Sequence, residues 1–489
     1  MLPDEVLLAI FDFCADEDDV LKEDIEAWQT LVHVCRRWRN VVFGSPRRLN
    51  LRLVCTSRTR ARDTLDIWPA LPVFIQCDGG LPEESVDNIV AVLKRSSRVC
   101  QVNLSVSSLH LEKVLAAMQK PFLGLTHLTL KLEPNGETVT VLPDLFLGES
   151  APCLQSLYFR GIPFPALPKL LLSATQLVHL CLLNIPHSGY FSPEAMITAL
   201  STLTSLDFLQ LEFQSPRSCP DWASRRPPPP TRFVLPVLED FEFKGVSEYL
   251  DDLVAHIDAP TLNDLSITFF NDIVFNTPQL IQFIGRTPML NVLNIAYVTV
   301  EGGAARVELL SQIPGNGRLE VKIPCRELDW QVSSLEQVCT SCLPPLSMLE
   351  DLYIHEVSYW QPYWQDNIDN ILWLELLHPF TAVKNLYLSW EIARRIAPTL
   401  QELVGDRTTE MLPTLHNIFL ADPAPEGIEQ FVARRRVTSH PIALTRQYTR
   451  PQTLETYYMH RRSKTPSNKA FIQAFPNLLE NRYSGLPEI

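Results

Sequence analysis

The chain of 489 residues holds no stretch near the roughly 20 uninterrupted apolar residues that a membrane-spanning helix needs. Its amino terminus is acidic where a secretory signal is basic. Together these absences predict a soluble intracellular protein, cytoplasmic or nuclear, with no membrane partner. Catalytic signatures are missing as well. There is no G-x-S-x-G elbow, Walker loop or G-x-G-x-x-G fingerprint, and His355-Glu356 lacks the second histidine of a zinc hydrolase helix. Gly315-Asn316-Gly317 is too short to cradle phosphates and reads as a turn. The expectation is a protein that is not an enzyme and carries no cofactor, although a triad assembled from distant parts of a chain leaves no such signature.

Paired cysteines are scarce. The eleven cysteines are scattered singly, mostly in apolar runs such as Leu180-Cys181-Leu182, the pattern of reduced core thiols in a reducing compartment. Cys339-Thr340-Ser341-Cys342 has no second ligand pair, so no metal site is expected. An excess of positive charge is also lacking: the net charge is −14, which argues against general nucleic-acid binding. The charge is unevenly placed. Met1 to Trp28 carries ten Asp/Glu against one Lys, whereas Gln29 to Arg62 carries nine Arg and no acid.

What the chain does have begins at its first residues. Leu2-Pro3-x-Glu5-x-Leu7-x-x-Ile10-Phe11 opens a module that Leu31-Val32-x-Val34-Cys35-Arg36-x-Trp38 closes. Proline is tolerated at a helix start because its missing N–H falls in the unpaired first turn, and Asp4 and Glu5 suit the positive helix end. Leu7, Ile10 and Phe11, then Trp28, Leu31, Val32, Cys35 and Val42, recur at helical spacing. About forty residues bury too little surface for a large core of their own.

This pairing of motifs resembles an F-box. The resemblance implies that part of the module's apolar surface docks on a Skp-family adaptor, which links F-box proteins to a cullin ubiquitin ligase. The matching positions are Leu2, Pro3, Glu5, Leu7, Ile10, Phe11, Val34, Cys35, Arg36 and Trp38. The acidic segment Asp16 to Glu26 is longer than the family's usual turn between the first two helices. The switch from acid to base suits docking on an acidic adaptor through Arg36, Arg37 and Arg39, and equally suits a solvated basic face.

Beyond this module a short pattern, apolar-x-x-apolar-x-apolar, repeats. It starts at Trp68, Val99, Leu125, Leu154, Leu177, Leu206, Leu238, Leu262, Leu290, Asn316, Leu349, Val383 and Leu415. From Val99 to Leu415 there are 316 residues in eleven steps, a mean period of about 29, at the upper end of leucine-rich repeats. The last two apolar positions alternate as in a strand, and the stretches between show helical spacing, as in Val86, Ile89, Val90 and Leu93. Each unit therefore reads as one short strand plus one helix. Such units bury their apolar faces only by stacking, which predicts an α/β solenoid with parallel strands on the concave face and helices outside. The asparagine that normally follows a leucine-rich-repeat strand is mostly absent, so each turn must satisfy its backbone groups differently. The whole resembles the large fungal class of F-box proteins with irregular leucine-rich-like arrays. The resemblance implies a substrate receptor of an SCF-type ligase, with an unidentified protein substrate on the array; a plain protein-binding scaffold is the alternative.

The expected organisation is an F-box-like module over 1–45, the solenoid over 46–422, and a basic cap or tail over 423–489. Arg225-Arg226-Pro227-Pro228-Pro229-Pro230 reads as an exposed stiff loop between repeats. Tyr359, Trp360, Tyr363 and Trp364 crowd together just after a predicted strand, with Trp373 close by. They are candidate substrate anchors if exposed, and core if not. Arg434-Arg435-Arg436 and Arg461-Arg462-Ser463-Lys464 fit a polar cap that closes the array, or an anion-binding or nuclear-import patch.

Overall fold

A computed structural model of the chain describes residues 2–15, 27–46, 49, 51–56, 65–77, 83–133, 141–216, 232–270, 277–313, 317–344, 346–357, 370–403, 411–420, 424–437 and 441–445. The acidic segment 16–26, the proline run, the quartet Tyr359, Trp360, Tyr363 and Trp364, and the Arg461 cluster lie outside these residues. The chain forms two compact units, Met1–Pro260 and Thr261–Ile489.

The first unit opens with three helices, α1 (Asp4–Ala15), α2 (Ala27–Val34) and α3 (Arg36–Gly44). Strands β1 (Leu53–Cys55), β2 (Val73–Cys77), β3 (Val99–Val106), β4 (His127–Leu132), β5 (Ser156–Arg160), β6 (His179–Ile185) and β7 (Phe208–Phe213) follow. Next come β8 (Phe233–Val234), β9 (Asp240–Gly245) and β10 (Ile257–Asp258). β1 to β7 and then β9 pair in chain order, every pair parallel, while β8 and β10 form a small parallel pair of their own. When neighbours in a parallel sheet are also neighbours in sequence, right-handed crossovers put every helix on the same face. Consecutive helices do lie side by side, Glu83–Leu93 against Ser108–Ala117 and Pro193–Leu200 against Ser247–Val254.

The repeat supplies the core as the pattern anticipates. Leu125 turns in just before β4, and Leu128 and Leu130 point from β4 to the helical side, where Leu111, Val114 and Leu115 of helix Ser108–Ala117 are buried. The strand entries are tied together by backbone. At each strand entry an N–H donates to a carbonyl of the preceding repeat: Thr126 to Cys100, Gln155 to Thr126, Val178 to Gln155, Asp207 to Val178 and Glu239 to Asp207, all at 2.8–2.9 Å. This ladder satisfies main-chain groups that would otherwise be buried unpaired, and it needs no particular side chain.

The second unit contains β11 (Asp264–Phe269), β12 (Ile295–Glu301), β13 (Ala304–Leu310), β14 (Arg318–Ile323), β15 (Asp351–Val357), β16 (Asn385–Leu388), β17 (Asn417–Leu420) and β18 (Ala443–Thr445). Its order is β11-β14-β13-β12-β15-β16-β17-β18. Here the expectation of parallel strands alone is corrected. β13 runs antiparallel to both β12 and β14, so the chain passes two strand positions and folds back before moving on. The reversal is a two-residue hairpin at Gly302-Gly303, with Glu301 opposite Ala304, and a Cβ at either glycine would meet open space.

The repeat start at Leu290 is also corrected. Leu290 lies in the 3-10 turn Pro288–Val292 and β12 begins at Ile295. Register pairs Ala296 with Leu352 and Val298 with Ile354, so the repeat runs Leu293, Ala296, Val298. Beyond Leu420, helix Glu426–Arg436 and β18 add one more unit. Arg434 donates to the carbonyls of Gln401 and Leu403, and the buried Arg435 to that of Leu412. Arg434 thus satisfies carbonyls at the close of helix Trp390–Glu402, and Arg435 one just before β17.

Candidate functional site

The amino-terminal module is tied together by polar contacts at its helix ends. Arg37 pairs with Asp4 at 2.6 Å and also donates to the Leu2 carbonyl, clamping the start of α1 to α3. Cys35 caps α3, its Sγ accepting from the Trp38 N–H at 3.4 Å, and Arg39 donates to the Val32 carbonyl at 3.1 Å. Of the three arginines considered for docking, Arg37 and Arg39 thus hold the module, and Arg36 is exposed. Trp28 donates its indole N–H to the Arg52 carbonyl at 3.1 Å and meets Trp68 edge-on at 5.1 Å. Phe43 and His33 pack on the same Trp68 ring, which staples the module to the first repeat.

At about 100° per residue, Leu7 and Phe11 occupy one side of α1, while Val6, Ile10 and Phe13 share an adjacent arc of about 60°. α2 and α3 cover only the first side. Phe11 is fully buried, edge-on to Trp38 at 4.8 Å, and Leu7, Trp28, Val32 and Val42 of the same module are buried too. Val6 is 41 % exposed, Ile10 44 %, Phe13 80 %, and Leu2, just before the helix, 52 %. The ten positions of the motif therefore divide. Leu2, Pro3, Glu5, Ile10, Val34, Cys35 and Arg36 are exposed, Trp38 is half-buried, and Leu7 and Phe11 are core. Val6 and Phe13 were not anticipated, although their spacing from Leu2 and Ile10 places them on one helix face.

The sheet faces opposite the helices are the second candidate surface. In the second unit, Tyr297, Tyr353, Tyr387 and Phe419 hold equivalent register positions and stack in a ladder, with centroids 4.6, 4.0 and 4.4 Å apart. Beside it Asn417 donates to Asn385 at 2.8 Å and Asn385 to Asp351 at 2.7 Å. On the meander the buried Arg318 meets Glu308 at 2.6 Å, Asp264 at 3.3 Å and Glu320 at 2.5 Å, and Arg306 joins Glu320 to Glu301. Burial alone pushes the Glu320 carboxyl up, but Arg318, Arg306 and Lys322 outweigh it and hold it down to about 2.

In the first unit the same face is polar. Gln101 contacts the His127 Nδ1 at 3.1 Å, Lys131 lies over the Tyr158 ring at 5.7 Å, and Arg160 is exposed. Burial lowers the His127 imidazole, and burial together with His127 pushes His179 down to about 4, so both rings are neutral at pH 7. Trp373, the member of the aromatic cluster within the described residues, is core in helix Asn370–Leu377.

Among the described residues no group of three His, Cys, Asp or Glu is placed to hold a metal ion, and no helix is long and apolar enough to cross a membrane. No disulfide joins the nine described cysteines, and burial raises the thiols of Cys55, Cys325 and Cys339, which makes them poor nucleophiles. The void between Phe159, Phe164, Leu182 and Phe191 is about 10 Å³, room for little more than a water. Compared with known proteins, the chain matches no family model and no curated sequence, so the F-box resemblance rests on the motif residues themselves.

Proposed function

We propose that the chain is the substrate-recognition subunit of an SCF-type ubiquitin ligase, α1 to α3 docking on the Skp-family adaptor and the repeat array holding a protein substrate. The observation that carries this reading is the uncovered apolar arc Leu2, Val6, Ile10 and Phe13 beside the Leu-Pro entry of α1. Four large apolar side chains in water on a module this small are what an obligate partner would cover, each worth about 1.5–3 kcal/mol when fully buried. The chain's part in the reaction is positional. It raises the effective concentration of a target beside a ubiquitin-conjugating enzyme and supplies neither nucleophile nor base.

The test is co-expression with the adaptor and purification through it. Wild-type protein should be captured at one to one, and Ile10→Asp/Phe13→Asp should abolish capture while retaining the wild-type melting curve. Ile313→Asp, which changes an exposed apolar residue of the second unit, should bind as wild type. A folded wild-type chain that the adaptor does not retain would sink the ligase reading and leave a scaffold that acts through its array.

A further inference from the structure

We propose that the face of β3 to β6 opposite the helices binds an acidic peptide segment of a partner protein, with a carboxylate seated between Lys131 and Arg160. The outward positions of these four strands hold no Asp or Glu, in a chain whose acids outnumber its Lys and Arg by 14. Lys131 and Arg160 are register partners on β4 and β5, which places their Cβ atoms about 5 Å apart. A carboxylate between them accepts from both. The Tyr158 ring beneath Lys131 orients the ammonium by a cation–π contact, and Arg160 presents a planar fork suited to a carboxylate.

Four residues earlier on the same strands, His127 faces Ser156, and Ser156 faces His179. The Ser156 Oγ is 1 % exposed as a residue and has no hydrogen-bond partner among the described residues. Buried hydroxyls are normally hydrogen-bonded, so the Ser156 Oγ is a position that a ligand atom would satisfy. The two rows are about 13 Å apart at 3.3 Å per residue, the span between side chains i and i+4 of an extended peptide. The occupant is therefore an extended segment with an acidic side chain at one position and a hydrogen-bonding side chain four residues away. Glu133, just past β4, and Glu212 on β7 mark the margins of the site. Nucleic acid fits poorly, because two cations between acidic margins release few counterions. The net charge of −14 does not forbid an acidic ligand, since at physiological salt charges beyond about 8 Å are largely screened.

The inference rests on the array being the partner-binding part of the chain, but its test needs no adaptor and so fails or succeeds apart from ligase assembly. Fluorescence anisotropy with the full chain and a labelled dodecamer of glutamate should show saturable binding that weakens with salt. Lys131→Glu/Arg160→Glu should weaken it at least tenfold and Lys131→Gln/Arg160→Gln several-fold. Lys113→Glu/Lys120→Glu, at exposed positions on helix Ser108–Ala117 and the turn after it, makes the same change in net charge as the first pair and should stay within twofold of wild type. Circular dichroism melts confirm that each variant is folded. No binding by the wild-type chain would overturn the proposal. So would equal losses in the two charge-reversed pairs, or tighter binding of a twelve-nucleotide oligothymidine through the same two residues.

Discussion

Replacing Arg318 with Met tests whether the meander of the second unit is held by its buried charges. The guanidinium is 6 % exposed and its carboxylate partners Asp264 and Glu308 4 % each, with Glu320 at 12 %. Methionine keeps much of the volume and removes the charge, leaving three acids facing one another with Arg306 and Lys322 off to one side. Breaking a buried ion pair by deleting one partner costs about 3–5 kcal/mol, more than the pair itself contributes, because the remaining charge stays desolvated. Urea unfolding of the full chain at pH 7, followed by far-ultraviolet circular dichroism, should show a loss of that order in the second unit.

The pH dependence makes the argument sharper. In the wild type the Glu320 carboxyl is held near 2 against an ordinary 4.5. Its contribution is therefore full above 4.5 and is lost as pH falls from 4.5 towards 2. Without Arg318 the folded value rises, so the variant loses less over the same window. The gap between the two proteins should be largest at pH 7 and should narrow below pH 4.5. A variant within about 1 kcal/mol of wild type, or a gap that does not change with pH, would refute the reasoning.

Two further outcomes follow from burial. Phe11→Ala removes a fully enclosed ring from the three-helix module, at a cost of about 3–5 kcal/mol, and should expose residues 1–44 to limited proteolysis. Ile10→Ala, one residue away on the open arc, should leave the digestion pattern unchanged. His179 is held neutral, about 4 against an ordinary 6.5. Its contribution is present above pH 6.5 and lost as pH falls from 6.5 towards 4, by at most ~3 kcal/mol. The urea midpoint of the first unit should fall across that window and fall less in His179→Gln, where only His127 is left to titrate there; a flat wild-type profile would contradict the assignment.

The array was readable wherever one face of a strand is apolar and the other polar. In β4, Leu128 and Leu130 alternate with His127, Thr129 and Lys131, so period and phase are both visible in sequence. β12 breaks this condition. Ile295, Ala296, Tyr297, Val298 and Val300 are all buried, because the reverse face packs on Leu310 and Tyr353. Alternation disappears there and the repeat start slipped to Leu290. The meander had a local sign in Gly302-Gly303 between two apolar runs, a two-residue turn that reads as a hairpin, but a search for parallel strand–helix units passes over it. β1 and β18, three residues each, are too short to show any period.

The binding surfaces were less readable than the core, for a reason particular to repeat arrays. On α1 the apolar stripe is plain in sequence, yet Phe11 and Ile10 are chemically alike, and only the positions of α2 and α3 decide which is covered. On the sheet, Lys131 and Arg160 are 29 residues apart and become neighbours only through the pairing of β4 with β5. A register slip of a single residue on either strand would send one of them to the helical side. Core leucines announce themselves through repetition, since each repeat must solve the same packing problem. Recognition residues occupy the alternate positions, where each repeat is free to differ, so their grouping exists only in the register. Changing Lys131 and Arg160 should consequently alter what the array binds while leaving its stability near that of the wild type, the opposite of what Leu128 or Leu130 would do.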